Sequence, residues 1–202
     1  MGIAALAATV NLAACGTTGS EQAQPSTTTS VSATEAHNDA DATFALHMIP
    51  HHQQAIEMSD MVLSKQGLDP RIVELATRIK AEQQPEINAM QSWLKQWQLP
   101  TEGMQPSEGM SPHGGMPGMD TMPGMAGMMS EQDMTALQNA QGTEAGTLFL
   151  KQMIRHHQGA ITMAQNEVDN GRYPAALEMA RAIIVDQQAE IETMNEILAT
   201  PR

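Results

Sequence analysis

The sequence predicts an all-α protein: an antiparallel four-helix bundle made of two duplicated helical hairpins joined by a Met-rich linker. Three observations predict it. Aromatic residues make up 2% of the 202 residues while methionine contributes 18. A core must then rest on Leu, Ile, Ala and Met, which suit helices better than strands. Apolar residues also recur at spacings of three and four in the long segments. Finally, the two halves align. Phe44 matches Phe149, Met48 matches Met153, His51-His52 match His156-His157, Ala55 matches Ala160 and Met58 matches Met163. After a one-residue gap, Glu86-Ile87 match Glu190-Ile191 and Met90 matches Met194. A hairpin burying a single stripe needs a partner, and two such hairpins close into a bundle.

Residues 1–14 carry no charge, are rich in Ala, Leu and Val, and end in Leu12-Ala13-Ala14-Cys15-Gly16. Too short to span a bilayer, this run resembles a bacterial lipoprotein signal, cut before a cysteine that is then lipidated. It departs from such signals in having no Lys or Arg at its start. Residues 1–15 are therefore expected to be a signal peptide. The protein is expected outside the cytoplasm, anchored to the outer face of a bacterial membrane in the cell envelope or periplasm by one acyl anchor at Cys15. That cysteine is the only one, so no intrachain disulfide can form.

Residues 16–38, rich in Ser, Thr, Gln and Ala, predict a flexible tether to a domain spanning 39–199. The first helix is expected over about 44–65, with Phe44, Met48, His51, Ala55, Met58 and Val62 on one face and Gly67 as its C-cap. Asp69-Pro70 opens the second, as N-cap and first helical residue. Ile72, Ala76, Ile79, Gln83, Ile87, Met90 and Leu94 line its apolar face, and Pro100 ends this first hairpin of about 40–99. Pro50 and Pro85 stand inside the two helices, where each removes a hydrogen bond and frees the carbonyls of Leu46 and Ala81. In the linker, 101–129, Gly and Pro recur too often for a helix or strand. The second hairpin, about 131–199, starts with a short helix to about 140, for which Ser130 and Asp133 form a capping box. A long helix over about 147–170 follows, stopped by Gly171, and the last runs from Pro174 to about 199.

Successive residues of a helix are turned by about 100°. Met48, His51, His52 and Met58 then share an arc of about 120° around Ala55; Met153, His156, His157 and Met163 repeat it around Ala160. Thioether with imidazole is a soft-to-borderline donor set, suited to Cu(I), with Ag(I) or Cu(II) as alternatives. Methionine sulfur has no proton to displace and forms no disulfide in an oxidising compartment. Packing explains part of the pattern as well: Met58 and Met163 could be core fillers, and Gln83 and Gln187 could satisfy the histidines. Glu82 and Asp186 could orient a ligand imidazole or simply be solvated. The linker adds Met104, Met110, Met116, Met119, Met122, Met125, Met128 and Met129, with His113 among them. No amphipathic helix can form there, so core packing does not explain these sulfurs, whereas flexible Met-x-x-Met runs can wrap Cu(I) or Ag(I).

The segments FALHMIPHHQQAIEM, EQQPEINAM and FLKQMIRHHQGAITMA resemble the domain-of-unknown-function family numbered 305 over about residues 38–199. The resemblance implies a ferritin-like four-helix bundle, exported and often lipid-anchored, similar to periplasmic copper-binding members of the CopM type. It carries a ligand role to Met48, His51, His52, Met58, Met153, His156, His157 and Met163. His47 stands where Met is common in the family, which adds a candidate ligand. Ala145-Gly146 replace a usual Phe-Asp pair, which removes a carboxylate.

Three functions compete. The leading one is a metal-binding lipoprotein that sequesters or buffers Cu(I) or Ag(I) in copper homeostasis or resistance. Its partners would be metal ions and the membrane, and no residue specifies a copper-export or copper-oxidase partner. A ferritin-like di-metal oxidoreductase needs Glu-x-x-His motifs; none occurs, and no enzyme activity is expected. A helical scaffold or interaction lipoprotein with no metal role is the third. Nucleic acid is excluded as a partner by a net charge of −13 with only 10 Lys and Arg residues.

Overall fold

The computed structural model describes residues 36–100 and 126–200. They form five helices: α1 (Asp39–Leu63), α2 (Pro70–Gln96), α3 (Glu131–Asn139), α4 (Gly142–Asn170) and α5 (Pro174–Ala199). Among the described residues there is no strand, and no helix is long and apolar enough to cross a membrane. The expectations for Cys15, Met104, Met110, His113, Met116, Met119, Met122 and Met125 lie outside the described residues.

Local chemistry sets the helix ends. Asn38 caps α1 and shares a capping box with Asp41, so the helix starts before the apolar periodicity does. His37 and Asn38 thus belong to the domain and not to the tether. Asp69 accepts from the Arg71 N–H and Pro70 occupies the first turn of α2, as expected. Gly67 is not the C-cap of α1: the helix ends at Ser64, and Gly67 takes a left-handed φ of 73° within the turn. Ser130 and Asp133 form the reciprocal box of α3. Helix α4 starts earlier than its pattern suggests, because Ala145 and Gly146 are both buried within it. A side chain at Gly146 would place its Cβ 2.7 Å from Ile72 Cδ1. Both α1 and α2 run unbroken through Pro50 and Pro85.

Helix α1 packs on α2 and α4 on α5; the hairpins meet through α1 with α4 and α2 with α5, while α3 leans on α1 and α4. The core divides into two apolar clusters. One joins Phe44, Met48, Ile87, Met90, Ala160, Met163, Tyr173 and Ile183. The other joins Ala55, Met58, Val62, Ile79, Phe149, Met153, Ile191 and Met194. The start of α1 thus meets the end of α4 and vice versa, which is antiparallel packing. Each fully buried Leu, Ile or Met contributes roughly 1.5–3 kcal/mol. Between the clusters lie His51, His52, Gln83, His156, His157, Gln187 and Glu190, all buried.

One end of the bundle gathers most of the chain's few aromatic rings. Tyr173 meets Trp93 and Trp97 edge-on at 5.6 and 5.2 Å, and His37 stacks on Trp97 at 4.3 Å. There Asp41 Oδ1 accepts from the N–H groups of Arg172 and Tyr173, both at 2.8 Å, locking the start of α1 to the α4–α5 turn. Glu167 lies fully buried beside it.

Candidate metal centre

The two His-His pairs lie at mid-height on the facing helices α1 and α4, and the two members of each pair diverge. His51 and His156 turn toward one another across the α1–α4 interface, with ring centroids 3.7 Å apart and planes tilted by 37°. His52 turns toward α2, where its Nε2 donates to Glu86 Oε2 at 2.6 Å. His157 does the same toward α5, donating to Glu190 Oε2 at 2.7 Å. Consecutive helix positions differ by about 100°, so one residue of each pair faces the opposite hairpin and the other its own.

These contacts decide between alternatives that the sequence leaves open. The carboxylates on the histidines are Glu86 and Glu190, each one helical turn beyond the Glu82 and Asp186 considered from the sequence. Nor do the glutamines satisfy the rings: both amide atoms of Gln83 and the Oε1 of Gln187 are buried without a partner. Glu190 is further held by Arg78, whose Nε lies 3.5 Å from its second oxygen. The repeat alignment was the available signal, since Glu86 and Glu190 are matched positions.

The methionines bracket the histidines. Met48 and Met163 fall in one apolar cluster, and Met58 and Met153 in the other. One pair therefore lies on each side of the imidazole layer, and the four ligand types on each helix do not share a single pocket. All four sulfur side chains are buried. His47 is half-buried beside Met48 with no partner for its Nδ1, and burial lowers its pKa.

The end of the linker closes over this layer. Ala126 O accepts from His51 Nε2 at 3.2 Å. Gly127 has φ +79° and lies on Gly159 of α4; a Cβ on Gly127 would be 2.6 Å from Arg155 O and 2.9 Å from Gly159 Cα. Gln54 brackets the next turn, accepting from Met129 N–H at 2.7 Å and donating to Met129 O at 3.0 Å. Met129 departs from the expectation of an exposed linker sulfur. It is buried in the second cluster, and its Sδ accepts from Arg155 Nη2. Met128 is half-buried.

Burial dominates the electrostatics of the two facing rings, His51 and His156. Burial, with the neighbouring His52 and His157, brings His51 down to about 3. Burial and the three other histidines hold His156 well below the usual imidazole range. At neutral pH these rings therefore carry no charge. The Nδ1 atoms of His51, His52 and His157 and both ring nitrogens of His156 have no hydrogen-bond partner. An unsatisfied buried polar group costs about 1–3 kcal/mol. Among the described residues no group of three or more His, Cys, Asp or Glu side chains is arranged to hold a metal ion. Any site here must draw on sulfur as well as nitrogen.

A model of the family described as Domain of unknown function (DUF305) matches residues 41–198. The chain belongs to the DUF305 family. Its fold is that of other DUF305 proteins. The crystal structure of one from Streptomyces coelicolor is 32% identical, with a TM-score of 0.67, and the match covers 79% of this chain and 92% of that one. CopM in its Cu(II)-bound form is 35% identical, with a TM-score of 0.61, covering 77% of this chain and 93% of CopM. CopM also has Cu(I)-bound and Ag-bound forms, which match with TM-scores of 0.58 and 0.61. Uncharacterized protein L153 of Acanthamoeba polyphaga mimivirus is 50% identical over 52 residues, which is 26% of this chain and 34% of that protein. This DUF305 chain thus spans about a third of the length of that curated relative.

Proposed function

We propose that this DUF305 protein is an extracytoplasmic copper- and silver-binding lipoprotein, which sequesters or buffers Cu(I) and Ag(I) through methionine and histidine. The carrying observation is the buried layer of four imidazoles with unspent ring nitrogens between two methionine pairs. Such a layer weakens a purely structural core. It suits a soft cation, because neither thioether nor neutral imidazole must lose a proton to bind. The likeness to CopM, crystallised with Cu(I), Cu(II) and Ag, supports the same reading. So do the linker methionines, as a capture segment joined directly to the strap over His51. The apolar segment before Cys15 supports export and lipid anchoring. Binding without catalysis is part of the proposal, given the absence of Glu-x-x-His from the sequence.

The test is titration with Cu(I), Cu(II) and Ag(I) of the chain from Gly16 onward. Beside it go a variant lacking 101–125 and one with His51, His52, His156 and His157 changed to Ala, its fold checked by circular dichroism. Wild type should bind Cu(I) and Ag(I) more tightly than Cu(II), and both variants should lose sites. Affinity no greater than that of a Met-poor helical protein would sink the reading.

A further inference from the structure

We propose that Glu86 and Glu190 are positioning residues which, with Ala126 O, commit His52, His157 and His51 to the Nε2–H tautomer and so make Nδ1 the metal-binding atom of each. The proposal rests on the metal-binding reading above and adds to it the ligand atoms and the groups that select them.

A neutral imidazole has one N–H and one lone pair, and the partner of one nitrogen decides which is which. The Ala126 carbonyl can only accept, so His51 Nε2, 3.2 Å away, must carry the proton. The glutamate oxygens take the acceptor role in the same way, with His52 Nε2 donating to Glu86 at 2.6 Å and His157 Nε2 to Glu190 at 2.7 Å. With Nε2 as the donor, Nδ1 is the ring atom left for a metal in all three, and all three Nδ1 atoms are buried without a partner. The rings are 0% exposed, so water does not satisfy them. A carboxylate on the far nitrogen also makes the near one a stronger donor, which is how outer carboxylates tune metal-bound histidine. The arrangement is duplicated: His52 with Glu86 in the first hairpin, His157 with Glu190 in the second. His156 has no carboxylate or other side-chain partner at either nitrogen, so no such group commits its tautomer and it can follow the metal.

A glutamate whose only role was to satisfy a histidine would fix the same tautomer but would have no effect on silver. Long-range ¹H–¹⁵N imidazole spectra of the full, ¹⁵N-labelled chain separate these roles. In the metal-free protein His51, His52 and His157 should show a protonated Nε2 and a pyridine-type Nδ1. Ag(I), added past the capacity of the linker sulfurs, should move Nδ1 resonances and leave Nε2–H in place. Glu86→Leu with Glu190→Leu should release the tautomers and weaken Ag(I) binding by the bundle about 10–100-fold. Glu86→Gln with Glu190→Gln keeps an acceptor oxygen of the same reach. It should retain the tautomers and recover most of the affinity, even if the leucine variant proves unstable. An Nδ1–H tautomer at His52 or His157, or silver moving Nε2, overturns the assignment while leaving metal binding intact. Tautomers as assigned with no imidazole nitrogen moved by silver would instead overturn the bundle as a metal site, and the assignment of ligand atoms with it.

Discussion

His156 is the residue hardest to justify as a packing element. It is 1% exposed, lies tilted against His51, and has no side-chain partner for either ring nitrogen. Replacing such a group by an apolar one of similar size removes a desolvation cost of about 1–3 kcal/mol. His156→Leu should therefore leave the metal-free protein as stable or raise its stability by up to about 2 kcal/mol, measured by urea unfolding. The same change should abolish part of the Ag(I)-induced rise in Tm. A clear loss of stability without metal would mean that His156 is a structural residue. The methionines give the complementary case. Met48→Leu with Met163→Leu conserves volume within one apolar cluster and should cost less than about 1.5 kcal/mol. If the sulfurs ligate, Cu(I) affinity should nevertheless fall at least tenfold in a competition titration with a Cu(I) chelator. Unchanged affinity would return Met48 and Met163 to the core.

The strap Ala126–Met129 ties the linker to the bundle through backbone contacts that tolerate no added atom. Gly159 offers bare backbone to Gly127, and a Cβ there would collide with the carbonyl of Ala126. Gly159→Ala should therefore lift the strap, remove the acceptor of His51 Nε2, and cost about 1–3 kcal/mol. Amide exchange at Met129, whose N–H donates to Gln54, should accelerate, and protection equal to wild type would show that the strap accommodates the methyl. This element was invisible in the sequence, because Ala126 and His51 meet only when α4 is placed against α1. The helices were visible because each carries its own evidence: the periodic faces of α1, α2, α4 and α5, Asp69-Pro70, and Ser130 with Asp133. Their starts were less so. Asn38 extends α1 through a cap that the apolar pattern does not record, and Ala145-Gly146 are buried inside α4. The histidines were found because they repeat, and their carboxylates repeat too. Choosing Glu86 over Glu82 depends on the rotation of α2 against α1, and on a helix rich in solvated acids no single-helix signal conveys it.

The bundle as a whole contains two kinds of buried titratable group whose effects on stability run in opposite directions with pH. His51 and His156 are held below the unfolded value of 6.5, chiefly by burial. Below pH 6.5 the unfolded chain binds more protons at these positions, so stability is lost as the pH falls. Glu167 is raised from 4.5 to about 8, first by burial and then by its hydrogen bond and proximity to Asp41. Asp41 itself stays low: burial pushes it up, but hydrogen bonds from Glu167 and from the N–H groups of Tyr173, Asn38 and Arg172 outweigh that. The folded chain therefore keeps the Glu167 proton between pH 4.5 and 8 where the unfolded chain has released it, and stability falls as the pH rises through that window. From 4.5 to 6.5 the lowered histidines, His51 and His156 together with His47, oppose Glu167 and stability climbs; from 6.5 to 8 Glu167 dominates and stability declines. The Tm of the metal-free protein should thus peak near pH 6.5, and be lower by roughly 2–6 °C at pH 8. Glu167→Gln can still donate to Asp41 but does not titrate, so its Tm should stay level from pH 6.5 to 8 while the loss on the acid side remains. An alkaline decline as steep in Glu167→Gln as in wild type would show that the Asp41–Glu167 pair does not hold this proton.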